Sequence, residues 1–183
     1  MAGKNNQYAT QGAPKFALER GKTYKAKFET SMGDFEAELY SDTAPMTVNN
    51  FVFLANEGFY DGVGFHRVVP GFVVQGGDPT GTGSGGPGYK FADEDIPHHR
   101  NYEKGTLAMA NSGPNTNGSQ FFVCVDNLTG KLPKQYNVFG KVTDGMDVVD
   151  SMVQVPLLPG GDGARSKPQD AITINKVTVT SNE

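Results

Sequence analysis

The sequence predicts a mainly antiparallel β fold closed into a barrel, with two short helices. Glycine makes up 24 of the 183 residues, nearly twice the ~7% of an average chain, and ten of these glycines fall between Gly62 and Gly88. Seven or eight short apolar segments stand between turn-forming residues, which is typical of many short strands. Short strands leave exposed edges unless the sheet closes on itself, so a barrel is the expected arrangement.

The first two strands are predicted as a hairpin. Tyr24, Ala26 and Phe28 alternate with charged residues, as on a strand with one buried face. The same alternation returns at Phe35 and Leu39, after a four-residue segment that can turn. We therefore expect two paired strands, each with one face in the core.

A helix is predicted next, because the apolar period changes. Val48 and Phe51 belong to an apolar stripe with helical spacing. Asp42 or Thr43 is placed to cap the N-terminus of this helix, and Gly58 is placed to end it. A cap would satisfy backbone N–H groups that have no partner inside the helix.

The C-terminal part predicts a short helix over 146–153, a Pro- and Gly-rich loop over 155–170, and a final strand. Along that strand the apolar residues change parity between Ile174 and Val177. A change of parity exchanges the two faces of a strand, so a bulge is predicted near residues 175–176.

Composition excludes several classes of protein. The formal net charge is −4 and the isoelectric point is about 5.4, so nucleic acid and anionic membranes are poor candidates for partners. The charge-free stretch at 105–125 contains too many polar residues for a membrane span. The single cysteine, Cys124, excludes a disulfide scaffold and is interpreted as a small buried side chain.

No secretory signal is visible, so a cytoplasmic location is expected. Residues 1–22 are polar and aperiodic, and we interpret them as an extension that is flexible or laid on the surface. The folded domain is expected over 23–183. The sequence does not indicate an oligomeric contact, and a monomer is expected.

Three short motifs have weak functional interpretations. Residues 81–86 match G-x-G-x-x-G, but Pro87 follows in place of a helix, so a surface loop is favoured over a nucleotide site. His98 and His99 follow three acidic residues, and an exposed turn is favoured over a metal site. His66 has no nucleophile motif with it, so a catalytic triad is not favoured.

Two longer segments, 65–78 and 109–122, mix aromatic side chains with neutral amides, and their only cation is Arg67. If Phe65 and Val69 share its strand face, Arg67 lies among apolar side chains and needs acceptors. Gln75 and Gln120 can supply them. From composition alone, a structural arginine and a functional arginine are equally supported.

These two segments resemble the signature motifs of the cyclophilins, the peptidyl-prolyl cis–trans isomerases that bind cyclosporin. The resemblance extends from Lys25 to Thr180 and is closest to single-domain prokaryotic or organellar members. It implies an eight-stranded antiparallel barrel closed by two helices, with the substrate groove outside. It also implies an enzyme that rotates X–Pro bonds in proteins and assists folding, without cofactor or metal.

The resemblance also implies roles for individual residues. Arg67 matches the catalytic arginine, with Gln75 beside it and Phe72 in the wall of the proline pocket. Departures from the family pattern are Val73 in place of Met, Ser112 in place of Ala and Tyr136 in place of a pocket His; the chain also has no Trp, which many members carry near the position of Lys131. The implied substrate-binding residues are Val73, Ala110, Asn111, Ser112, Gln120, Phe122, Leu132 and Tyr136.

The expected partners are proline-containing polypeptides, and cyclosporin with reduced affinity. Two other functions stay open from the sequence. One is a peptide-binding or chaperone module without turnover, against which Arg67 argues, because binding a neutral proline needs no cation. The other is a barrel with a small ligand inside, against which the large inward-facing side chains argue.

Overall fold

The described part of the chain forms ten strands and two helices. The computed structural model describes residues 4–94, 100–161 and 163–182. In chain order the elements are β1 (Thr23–Thr30), β2 (Gly33–Leu39), α1 (Pro45–Asn56), β3 (Arg67–Val69), β4 (Val73–Gly76), β5 (Thr106–Met109), β6 (Phe121–Cys124), β7 (Val138–Asp144), α2 (Met146–Met152), β8 (Leu157–Pro159), β9 (Arg165–Pro168) and β10 (Ile174–Asn182).

Eight of these strands form one antiparallel sheet, in the order β10-β1-β2-β7-β5-β6-β4-β3. Hydrogen bonds join its two edges, between the chain just before β3 and the chain at the start of β10. Phe65 N donates to Ile172 O at 2.8 Å, and Ile174 N donates to Val63 O at 2.8 Å. The prediction of a mainly β barrel with two helices is confirmed.

The interior of the barrel is filled by aromatic and aliphatic side chains. Phe28 and Phe35 lie opposite each other in the predicted β1–β2 hairpin, and their rings stack with centroids 4.5 Å apart. Phe51 of α1 meets Phe121 of β6 edge to face at 5.9 Å. All four side chains are fully buried. An interior filled to this extent favours a functional surface on the outside of the barrel.

The N-terminus of α1 is capped by a residue from a distant loop. Glu94 accepts hydrogen bonds from Thr47 N at 2.6 Å and from Met46 N at 3.0 Å. The prediction that Asp42 or Thr43 caps this helix is wrong. The residue at the N-cap position is Ala44, and no side-chain capping hydrogen bond is formed there. The carboxylate of Glu94 satisfies the orphan N–H groups and also complements the positive end of the helix dipole.

The rest of α1 and the second helix follow the sequence prediction. Val48 and Phe51 are fully buried, and Gly58 follows the helix in the left-handed region, at φ 70°, where glycine ends helices without steric strain. Helix α2 occupies 146–152 of the predicted 146–153, with Val149 and Met152 buried. Within the described ranges, neither helix is long and apolar enough to cross a membrane.

The segment 155–170 contains a hairpin where the sequence predicts only a loop. Strands β8 and β9 pair with each other as a separate two-stranded sheet. The prolines at 159 and 168 argued against strands, but each strand of a two-stranded ribbon has an open edge at which proline is tolerated. The loop prediction is therefore wrong for these seven residues.

The bulge predicted in the last strand is confirmed. Along the β1–β10 pair, Glu29 lies opposite Lys176 and Thr30 lies opposite Ile174. Asn175 is therefore the extra residue on β10. This insertion keeps both Ile174 and Val177 buried although they are an odd number of residues apart.

The described part of the N-terminal extension, residues 4–22, is bonded to the barrel. Tyr8 is only 5% exposed and packs edge-on against Phe53 of α1, with ring centroids 5.1 Å apart. Ala17 N donates to the side chain of Asn49 at 2.9 Å. Residues 4–22 of the extension are thus laid on the surface, with the aromatic side chain of Tyr8 buried.

Candidate active site

One row of side chains crosses four strands on the outer face of the barrel. Arg67 on β3 lies opposite Gln75 on β4. Gln75 in turn lies opposite Phe122 on β6, which lies opposite Ala108 on β5. Val68, next to the arginine, is fully buried in the barrel core. Because side chains alternate between the two faces of a strand, the row stands outside the barrel.

The two glutamines hold the arginine. Arg67 Nη1 donates to Gln75 Oε1 at 3.3 Å, and Gln75 Nε2 donates to Gln120 Oε1 at 3.2 Å. Each glutamine therefore uses its carbonyl as acceptor and its amide nitrogen as donor to the next group. Of the two acceptors that the sequence predicts for Arg67, Gln75 accepts from it directly, whereas Gln120 accepts from Gln75.

A second hydrophobic cluster, separate from the barrel core, lies beside this row. Phe122 forms its centre, 4% exposed, and the ring of Tyr136 meets it edge to face at 5.4 Å. The remaining buried members are Val73, Tyr102, Ala108, Cys124, Leu128 and Val138, and the partly exposed members are Tyr40, Phe72, Ala110, Leu132 and Tyr136.

The loop between β6 and β7 brings Leu132 and Tyr136 to this cluster. Leu128 is buried and anchors the loop, and Leu132 N donates to Leu128 O at 2.9 Å. The hydroxyl of Tyr102 donates to Tyr136 O at 3.0 Å and accepts from Tyr136 N at 3.2 Å. Lys131, next to Leu132, is exposed.

Asn111 and Ser112 stand at the rim of the same surface. Asn111 Nδ2 donates to Gln135 O at 2.8 Å, so its side chain ties the β5–β6 loop to the β6–β7 loop. Ser112 is exposed, and its N–H donates to Thr116 Oγ1 at 2.9 Å. A cavity of about 760 Å³ opens here, lined among others by Gln75, Ala110, Asn111, Ser112 and Gln120.

All of the site residues expected from the sequence therefore meet on one outer surface. The polar row and the apolar cluster share Phe122, and the cluster and the cavity share Ala110. The row and the cavity share Gln75. A cation, neutral amides and an exposed apolar patch side by side suit a neutral, partly apolar ligand such as a peptide.

Comparison with known proteins assigns the chain to a family. Residues 25–179 match the family model described as "Cyclophilin type peptidyl-prolyl cis-trans isomerase/CLD". The chain belongs to the cyclophilins. It is therefore a peptidyl-prolyl cis–trans isomerase by family, as the two signature segments predict.

Individual relatives of this cyclophilin carry names that agree with this family assignment. "Peptidyl-prolyl cis-trans isomerase-like 1" of Rhizopus delemar is 53% identical over 127 residues, covering 68% of this chain and 76% of the relative. "Probable peptidyl-prolyl cis-trans isomerase A" of Mycobacterium leprae is 42% identical over 172 residues, covering 85% and 91%. Since fungal and bacterial relatives are both similar, the narrower resemblance to prokaryotic or organellar members stays a prediction.

A solved structure of a relative matches the cyclophilin fold over most of the chain. It is a Cryptosporidium parvum cyclophilin type peptidyl-prolyl cis-trans isomerase in the presence of the dipeptide Ala-Pro. The TM-score is 0.78 at 37% identity, covering 86% of this chain and 99% of the other.

One conditional expectation about the surroundings of Arg67 is wrong. In this cyclophilin Phe65 is 1% exposed inside the barrel and meets Phe121 edge to face at 6.0 Å, whereas Arg67 stands outside. Strand β3 begins only at Arg67, and Phe65 N donates to Ile172 O where the two edges of the sheet are joined. The strand alternation therefore does not extend back to Phe65.

Asp78 is the residue near the site that the sequence analysis missed. It is 1% exposed, and its carboxylate accepts hydrogen bonds from the N–H groups of Thr80 (2.8 Å), Gly83 (2.6 Å) and Gly85 (3.1 Å). Burial acts to raise the pKa of Asp78, but these hydrogen bonds outweigh it and hold the pKa below its usual value. The available signal was an aspartate directly before a glycine-rich run.

The glycine-rich motif at 81–86 is consequently a loop folded around a carboxylate of the protein itself. No helix follows it in the described residues up to 94. The dinucleotide interpretation requires such a helix, so the surface-loop interpretation is the one that fits.

Cys124 and His66 both lie in surroundings that disfavour their charged forms. Burial raises the pKa of Cys124 to about 12, as for an inert thiol. Burial also lowers the pKa of His66; Asp78 opposes this effect and Arg67 adds to it. Among the described residues no three His, Cys, Asp or Glu side chains gather as metal ligands, and His98 and His99 lie outside those residues.

Proposed function

We propose that this cyclophilin rotates X–Pro bonds in polypeptides, and so assists folding, with Arg67 as the residue that stabilises the twisted amide. The observation that carries the proposal is the shared row of Arg67, Gln75 and Phe122. Neighbouring strands lie about 4.8 Å apart, so β3 and β6 are separated by roughly 10 Å. A proline ring on Phe122 then has its amide bond within reach of the guanidinium of Arg67.

The chemistry matches what a cation can do without proton transfer. The barrier to rotation is about 18–20 kcal/mol, because amide resonance must be broken. In the twisted amide the proline nitrogen becomes pyramidal and regains its lone pair. A hydrogen-bond donor aimed at that nitrogen stabilises the transition state more than the planar ground state, and this difference lowers the barrier. An arginine keeps its charge at ordinary pH.

The rest of the surface holds the substrate while the bond turns. Phe72, Phe122 and Leu132 supply apolar walls for the proline ring, with Tyr136 packed against Phe122. Asn111, fixed through its side chain, presents its backbone to the preceding peptide unit. The presence of Ala-Pro in the structure of the Cryptosporidium relative supports a proline-containing ligand.

The two other functions left open by the sequence are less well supported. A small ligand inside the barrel has to displace the packed rings of Phe28, Phe35 and Phe51. A binding module without turnover does not need a guanidinium bonded to a glutamine that is itself held by a second glutamine, at the edge of an apolar patch. Catalysis accounts for both features.

The test is an exchange experiment on an X–Pro peptide. Wild-type protein should speed cis–trans exchange, measured by NMR line shapes or by a protease-coupled assay. Arg67→Ala should lower kcat/KM by roughly 10²–10³, the usual cost of losing a transition-state donor. Arg20→Ala is the matched control, because Arg20 is an exposed arginine outside the site. A folded Arg67→Ala protein with nearly wild-type activity rejects the mechanism.

A further inference from the structure

The hydrogen bonds that hold Arg67 continue through the glycine-rich loop into the N-terminal extension. The extension precedes the residues that match the family model, which begin at 25. In order, Arg67 Nη1 donates to Gln75 Oε1 (3.3 Å), Gln75 Nε2 to Gln120 Oε1 (3.2 Å), Gln120 Nε2 to Gly85 O (3.1 Å), and Gly86 N to Asn5 Oδ1 (3.1 Å).

All four bonds point in the same direction. The carbonyl of Gly85 and the N–H of Gly86 belong to one peptide group, so this group accepts from Gln120 and donates to Asn5. An amide that donates at one end becomes a better acceptor at the other, so aligned bonds polarise and strengthen one another. Asn5 is the terminal acceptor of a chain that begins at the guanidinium of Arg67.

The linking peptide group is held on every side. Asp78 accepts from Gly85 N at 3.1 Å, and Asn6 N donates to Gly86 O at 2.9 Å. Together with the bonds to Gln120 and Asn5, these bonds satisfy both N–H groups and both carbonyls of the two glycines. Loss of the Asn5 acceptor leaves the N–H of Gly86 without this bond, which favours a rotation of the peptide group whose carbonyl accepts from Gln120.

The N-terminal segment is itself firmly attached. Tyr8 N donates to Pro87 O at 2.8 Å, and the buried ring of Tyr8 packs on Phe53. Lys4 Nζ donates to Gly58 O at 2.9 Å. Gly88 has φ 99°, and a Cβ atom there would lie 2.7 Å from Ala9 N, so the two segments touch backbone to backbone. Asn5 therefore occupies a defined position.

We propose that Asn5 is a positioning residue for Arg67, acting through Gln120 and Gln75. Its amide oxygen completes the hydrogen bonds of the Gly85–Gly86 peptide group. Together with Gly83 O, which accepts from Gln120 Nε2 at 2.9 Å, this group orients the Gln120 amide and, through Gln75, the guanidinium. The inference rests on the proposed catalytic role of Arg67. It assigns a part in the reaction to a segment that lies outside the family domain.

The experiment compares Asn5→Ala, Asn5→Asp and Gln7→Ala in the full chain. Asn5→Ala removes the terminal acceptor, and we expect kcat to fall about 3- to 10-fold with KM changed less than twofold. Asn5→Asp keeps an acceptor oxygen in the same place and should retain at least half of wild-type kcat. Gln7→Ala alters an exposed side chain of the same segment and should match wild type.

A second readout does not depend on turnover. The side-chain amide signals of Gln75 and Gln120 in ¹⁵N-correlated NMR spectra should shift in Asn5→Ala and stay in place in Gln7→Ala. Wild-type kcat in Asn5→Ala overturns the proposal whether or not the amide signals shift, even if Arg67→Ala is inactive. If Arg67→Ala is active, the proposed mechanism is wrong, and the catalytic role of Asn5 is wrong with it. Shifted amide signals in Asn5→Ala would in that case still show that the chain of hydrogen bonds exists.

Discussion

Arg67 and Gln75 lie directly opposite each other on β3 and β4, and the guanidinium of Arg67 donates to the amide oxygen of Gln75 at 3.3 Å. The pairing register brings the two side chains to the same face, since residues opposite each other on antiparallel strands point the same way. The glutamine therefore limits the orientations of a long and flexible side chain. A donor that is already oriented costs no reorganisation when the amide twists.

A double-mutant cycle on this pair tests whether the two residues act as one unit. We expect Arg67→Lys and Gln75→Leu each to lower kcat/KM by roughly 10- to 100-fold, because the first loses the planar fork and the second loses its orientation. The double variant should be no more than about threefold below the weaker single variant. The measurement is kcat/KM on one X–Pro peptide for all four proteins. Multiplicative losses would contradict a shared role.

Activity should be insensitive to EDTA and flat between about pH 6 and 8. The proposed mechanism uses no proton transfer and no metal, so a bell-shaped profile is not expected. Burial lowers the pKa of His66 beside the site, so less of this imidazole is protonated near pH 6 than of an ordinary histidine. The check is kcat/KM at constant ionic strength, with and without chelator. A loss restored by zinc or calcium contradicts the mechanism and directs attention to His98 and His99.

Much of the barrel could be predicted because the information is local. Alternation at Tyr24, Ala26 and Phe28 is a property of neighbouring residues, and all three are buried as expected. The parity change before Val177 also identified the bulge, because it too is visible in one short segment. The two signature segments indicated the family for the same reason, because each is a continuous stretch of chain.

Contacts between distant segments could not be predicted in this way. The cap of α1 comes from Glu94, 47 residues after Thr47, and no local pattern specifies which loop reaches a helix end. The hydrogen bond between Gly86 and Asn5 joins residues 81 positions apart. The local pattern of the extension, which is polar and aperiodic, therefore could not predict it. The expectation that Phe65 shares the strand face of Arg67 is wrong for a related reason. The position of Phe65 depends on its hydrogen bond to Ile172, 107 residues away, where the two edges of the sheet meet.

The cap on α1 should contribute measurably to stability. Glu94→Ala removes the acceptor for two orphan N–H groups and the hydroxyl of Thr47, and we expect the free energy of unfolding to fall by about 1–2 kcal/mol. Glu57→Ala is the control, because Glu57 stands at the C-terminal end of the same helix, where a negative charge does not help. Urea denaturation measures both. Equal effects of the two substitutions would show that the cap is not the cause.

Cyclosporin should bind this cyclophilin more weakly than it binds a relative with tryptophan at the pocket rim. The chain contains no tryptophan. The resemblance to the family predicts the rim position near Lys131, which is exposed next to the packed Leu132. Loss of one indole hydrogen bond and its aromatic packing suggests about 1–3 kcal/mol, or roughly 5- to 150-fold in affinity. Catalysis should be retained, because Phe72, Phe122 and Leu132 keep the apolar cluster intact.

Lys131→Trp tests this directly, since the substitution restores an indole beside Leu132 without touching the cluster itself. Titration with cyclosporin in the isomerase assay should show tighter inhibition of Lys131→Trp than of the parent chain. Lys134→Trp, in the same loop but three residues further along, controls for an added tryptophan at any exposed position. Inhibition of the parent as tight as that of a tryptophan-bearing relative would show that the rim residue does not determine affinity. Equal inhibition of the two tryptophan variants would show that the rim is not at Lys131.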